Sequence, residues 1–120
     1  MRARPPTPRE AASGVIARDA HHGIEGLLLQ RHPDSRVSPG AFAFPGGRVE
    51  ASDSSPGIEA RCRELDRLEA ARRLRDVEPP ERAIGFWVAA LREAFEEAGI
   101  LLAGQADGRP VDAAMLETIR

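Results

Sequence analysis

The sequence predicts an α/β domain, and three observations carry that prediction. Short strand-like segments crowd the part of the chain before residue 45, helical periodicity dominates from Ile58 to Gly99, and residues 100–103 return to a strand-like run. At 120 residues the chain has room for one domain with a modest core.

The elements follow in order. Residues 1–11 are basic and Pro-rich and read as a flexible arm; with no apolar stretch they do not form a signal peptide. The domain is expected over 12–120. Residues 14–18 and 24–31 read as two strands around a turn at His21-His22-Gly23, where the paired histidines are expected to be solvated rather than to bind metal. A loop over 32–39 leads to a short strand at 41–44 and a tight turn at Pro45-Gly46-Gly47. Residues 58–76 read as a helix, with apolar Ile58, Cys62, Leu65 and Leu68 and supporting pairs Glu59/Arg63 and Glu69/Arg73. Pro79-Pro80 ends it. A second helix runs from Glu81 to its natural cap at Gly99, and Asp112 caps a last one.

Composition narrows the function classes. A net charge of −2 leaves no basic excess to drive nucleic-acid binding. Every basic side chain is Arg, so an Arg at any one position is weaker evidence of a phosphate contact than usual. Cys62 is the single cysteine, which rules out an intrachain disulfide and favours a reducing compartment; a cytoplasmic location is expected. The longest apolar run, 86–91, is far too short to span a membrane.

The chemistry is concentrated on the second helix. At about 100° per residue, Ile84, Val88, Leu91 and Phe95 fall within about 60° and form an expected core stripe. Glu93, Glu96 and Glu97 share the opposite face within about 100°. Carboxylates four residues apart repel, and carboxylates in a last turn oppose the helix dipole, at roughly 0.3–1 kcal/mol each. A hard divalent cation would reverse both penalties.

Arg92-Glu93-Ala94-Phe95-Glu96-Glu97-Ala98-Gly99-Ile100 resembles the second half of the Nudix box, and Gly47 with Asp53 resembles the first half, with Asp in place of the usual Glu. Thirty-eight residues rather than seven lie between Asp53 and Arg92, so the box is split by about 31 residues, with the insert at about 54–80. The resemblance implies a Nudix-type α/β/α sandwich with a mixed sheet, incomplete at the C-terminus because few residues follow the box. It implies Mg²⁺ (or Mn²⁺) on Glu93, Glu96, Glu97 and the backbone of Gly47. Glu97 and Glu93 are the implied catalytic bases, and Arg92 the residue that orients them. Either Glu50 or Asp53 could also reach the metal.

Upstream, Leu27-Leu28-Leu29-Gln30-Arg31, Arg36, Gly40 and Phe44-Pro45-Gly46-Gly47 are similar to the signature of Nudix enzymes acting on coenzyme A, with departures at Leu29 and His32. Gly40 is expected in a turn and Phe44 in the core. The resemblance implies hydrolysis of CoA or acyl-CoA to 3′,5′-ADP and (acyl-)phosphopantetheine, with Arg31 and Arg36 on the substrate phosphates. The alternatives are a Nudix hydrolase of another nucleoside diphosphate derivative, such as ADP-ribose, and a non-catalytic fragment or binding module. A small CoA-like molecule is the expected partner, without nucleic acid or membrane; a homodimer stays open.

Overall fold

Strands come first and helices follow, as the change from period two to period 3.6 requires. The computed structural model describes residues 3–75 and 77–119; Asp76, the expected last residue of the insert helix, and Met1, Arg2 and Arg120 lie outside the described residues. The strands are β1 (Ala11–Ser13), β2 (Ala17–Ala20), β3 (Gly23–Gly26), β4 (Leu29–Gln30), β5 (Phe42–Ala43) and β6 (Gly46–Arg48). A 3₁₀ turn (Ala51–Ser54) precedes helices α1 (Pro56–Glu59), α2 (Arg67–Leu74), α3 (Glu81–Ala98) and α4 (Ala113–Ile119).

The α/β class is therefore present, with its sheet in three two-stranded antiparallel pieces: β1 with β6, β2 with β3, and β4 with β5. The expected hairpin forms around His21-His22, with Ala20 opposite Gly23. Other boundaries differ from expectation. Residues 14–16 carry no strand, and β1 begins inside the expected arm, whose end is tied down where Val49 N–H donates to the Glu10 carbonyl at 3.0 Å. Gly46 and Gly47 are not a turn but strand β6, paired with Ser13 and Ala12. A Cβ on Gly46 would strike the Ser13 hydroxyl and the Ala12 carbonyl, so glycine serves close strand approach here. Residues 100–103 are not a strand; among the described residues a single bridge, Gly104 to Pro110, follows.

The insert folds as two helices rather than one. Glu64 takes φ 60, a left-handed conformation that no helix interior tolerates, and Asp66 restarts the chain by accepting the Glu69 N–H at 2.8 Å. Glu69 pairs with Arg73 as expected, but Glu59 pairs with Arg67 instead of Arg63, because the break carries Arg63 away.

α3 is packed on three sides, and this is why one stripe did not describe it. Ala70 of α2 joins Ala83 and Ile84 in a fully buried cluster, with Cys62, Leu65, Trp87 and Val88 against it. Gly85 lets the 3₁₀ turn approach, its missing Cβ lying 3.3 Å from Ser54 and Val49. Ala90 faces Gly14 beside β1. Leu91 is 45% exposed. Phe44 is also exposed rather than in the core, while Pro45 next to it is buried. Gly99 ends α3 at φ 69, its N–H donating to the Phe95 carbonyl at 2.8 Å.

Candidate active site

The C-terminal turns of α3 meet β6 and the 3₁₀ turn, and Arg92 is the joint. Its five N–H donors make five bonds. Nε donates to Asp53 Oδ1 at 2.8 Å and Nη2 to Asp53 Oδ2 at 3.1 Å, a two-point grip. Nη2 also reaches the Arg48 carbonyl at 2.9 Å, while Nη1 holds Glu93 at 2.9 Å and Glu96 at 3.0 Å.

Asp53 is 2% exposed and caps its own turn by accepting the Glu50 N–H at 2.8 Å. Burial pushes its carboxyl up, but the Arg92 guanidinium and the Glu50 N–H outweigh that and hold it below the ordinary range. Arg92 is correspondingly raised, first by its bonds to Asp53. The box acid therefore holds the arginine that holds the glutamates.

Glu93 lies against β6: a Cβ on Gly47 would collide with its carboxylate, so only glycine leaves this space. One turn later Glu97 accepts the Gly46 N–H at 3.3 Å. Its carboxyl is pushed up, mainly by burial and further by its hydrogen bond with Glu93 and the charge there; the Gly46 N–H and the Arg31 guanidinium offset part of this. Glu96 turns to Arg92 and is half exposed. Among the described residues, no three His, Cys, Asp or Glu side chains converge closely enough to hold a metal ion as they stand.

Glu97 also borders an open pocket of about 580 Å³ whose other walls include Gln30, Arg31, His32 and Ser35. The structure thus brings Arg31 beside Glu97. Arg36 is exposed on the same loop and is not among the residues of this pocket. Sequence reasoning did not reach two backbone groups, the Arg48 carbonyl and the Gly46 N–H. The residues around them carry no side-chain signal for either role.

An acidic helix end laid on a paired glycine strand, within an α/β fold, defines a Nudix-type domain. The chain superposes on a Nudix hydrolase from Alicyclobacillus acidocaldarius with a TM-score of 0.64 and 31% identity, over 92% of this chain and 46% of that one. Within that class it is similar to the acyl-coenzyme A diphosphatases NUDT19 of Gallus gallus, at 37% identity over 85% of this chain, and of Xenopus laevis, at 36% over 78%. It spans 34% of the length of each of these two relatives. No family model matches the chain. The resemblance to the Nudix hydrolases, in their CoA and acyl-CoA diphosphatase-like branch, is borne out.

Proposed function

We propose that this chain carries the hydrolytic site of a Nudix diphosphatase that cleaves CoA or acyl-CoA to 3′,5′-ADP and (acyl-)phosphopantetheine. The observation that carries the reading is the pairing of Glu93 and Glu97 against the Gly46-Gly47 strand, with Arg31 beside Glu97. The acyl-CoA substrate is suggested by the relatives' names.

The donor set suits Mg²⁺ or Mn²⁺: two adjacent carboxylates whose repulsion a cation would relieve, and a glycine strand with no Cβ between them and the backbone. Glu93, Glu97 and the Gly47 carbonyl would hold the ion, with Glu96 joining once it leaves Arg92. When bound, the ion supplies charge neutralisation for the diphosphate. Arg31 orients the phosphates from the loop side, and Arg36 supports it from further along that loop. Glu97, its carboxyl already raised, takes the proton from the water that attacks phosphorus, and Glu93 shares that burden. Arg92 positions both through Glu93. The reading keeps a small-molecule partner and a cytoplasmic setting; no helix among the described residues is long and apolar enough to cross a membrane.

The test is chromatographic detection of 3′,5′-ADP from CoA and acyl-CoA with Mg²⁺ or Mn²⁺, beside Glu97→Gln. Metal-dependent release that the substitution abolishes supports the reading. Cleavage of ADP-ribose alone would move the substrate to another nucleotide. A folded chain inert toward every diphosphate would make it a binding module.

A further inference from the structure

The insert builds a second cavity away from the glutamates. It measures about 420 Å³, within the range of ligand pockets, and lies between the insert turn, α3 and the residues that follow α3. Its floor is apolar, with Trp87, Val88 and Leu91 from α3 and Leu102 beyond. Its rim is cationic, with Arg61 and Arg63 from the turn that Glu64 closes.

Arg63 is fixed across the mouth. Its Nη2 donates to the Gln105 carbonyl at 3.0 Å, and its Nη1 lies 3.6 Å from where a Cβ of Gly108 would stand. The 104–110 hairpin that receives it is itself braced, with Gln105 N–H on the Arg109 carbonyl and Gln105 Nε2 on the Pro110 carbonyl. Neighbouring carboxylates are already engaged: Glu59 by Arg67 at 2.8 Å and Asp107 by Arg109 at 2.6 Å. Glu64 adjoins the rim without being one of its lining residues. Arg61 and Arg63 thus line the opening as cations above an apolar floor, with neither Glu59 nor Asp107 paired to them.

We infer that this cavity binds a small amphipathic anion, a medium-length alkyl chain ending in a carboxylate or a phosphate. The alkyl chain would cover Trp87, Val88, Leu91 and Leu102, removing their apolar surface from water. The head group would take charge-assisted hydrogen bonds from Arg61 and Arg63. None of these residues belongs to the glutamate site, so the inference stands apart from the diphosphatase reading.

Trp87 is the only tryptophan and reports on the cavity directly. Its emission should be followed while the full chain is titrated with decanoate, decyl phosphate or decan-1-ol below their micellar concentrations. A saturable change is expected for the anions, with at least tenfold weaker binding of decanol and of either anion to the Arg61→Ala/Arg63→Ala chain. Whichever anion binds more tightly names the head group. Arg61→Ala alone breaks no side-chain hydrogen bond or ion pair among the described residues and should weaken binding without altering thermal stability. Val15→Ser, in the adjoining groove beside β1 that shares Trp87, Leu91 and Leu102 with this cavity but not its arginines, should leave the titration unchanged. Equal response to decanol, undiminished binding in the double variant, loss in Val15→Ser, or no response would each overturn the proposal.

Discussion

The two ends of α3 are held by different physics. The N-terminal half is fixed by apolar area, with Ala83 and Ile84 fully buried against Ala70 of α2. The C-terminal half adds direction to its buried Ala94, through one guanidinium that ties Asp53, the Arg48 carbonyl and two glutamates. Apolar burial tolerates small shifts of one element over another because it has no preferred angle. A five-point arginine does not, since its donors lie in a rigid plane. The part of the helix that carries the glutamates proposed to act is the part held by the directional contact.

Breaking the directional end should have the largest consequence. Arg92→Ala leaves Asp53 charged, buried and unpaired, and a loss of about 3 kcal/mol is expected, near the low end for buried pairs because Arg92 reaches solvent. Urea unfolding would show it, and turnover should fall as well because Glu93 and Glu96 lose their tether. Glu97→Gln separates the two roles. Turnover is expected to fall about 10²- to 10⁴-fold while the unfolding midpoint holds or rises slightly, because a carboxylate leaves the negative end of the helix. Collapse of the fold in that variant would contradict a dedicated chemical role.

Acid sharpens the comparison further. Asp53 has a depressed pKa in the folded chain, so its contribution is complete above its ordinary value of 3.8 and is lost as pH falls through the lower folded value. The gap in melting temperature between the parent chain and Asp53→Asn should therefore narrow as pH drops below 3.8. A gap that stays constant across that window would show that Asp53 is not held as a carboxylate. The smallest effect belongs to the apolar end. Ile84→Val should cost about 1 kcal/mol in unfolding experiments and leave kcat unchanged, since no glutamate depends on that contact.

Legibility in the sequence followed locality. α3, its Gly99 cap and the shared face of Glu93, Glu96 and Glu97 were readable because helix geometry relates residues three and four apart. The Asp112 cap of α4 was readable for the same reason, and Met115 N–H donates to it at 2.8 Å. Gly46-Gly47 was misread because a glycine pair signals either a turn or a close strand. The partner that decides between them, Ala12-Ser13, is distant and has no strand-forming bias of its own. The break in the insert was signalled by Asp66 and Glu69, an N-cap spacing that the Ile58–Leu68 periodicity overshadowed. The exposure of Leu91 could not be read at all, since it depends on which distant segments pack over that face of α3.

The Asp53–Arg92 bond joins residues 39 apart, and the insert with about the first three turns of α3 lies between them. The strand-side root of that excursion is therefore tied to α3 about three turns beyond the point where the insert returns to the helix. For a flexible loop with its ends already pinned, doubling the length adds only about 0.6 kcal/mol of closure entropy. Segments of the excursion away from Ala70 could be lengthened or shortened while this bond still holds the glutamates, and in this chain the excursion carries a helix that in turn shelters Trp87.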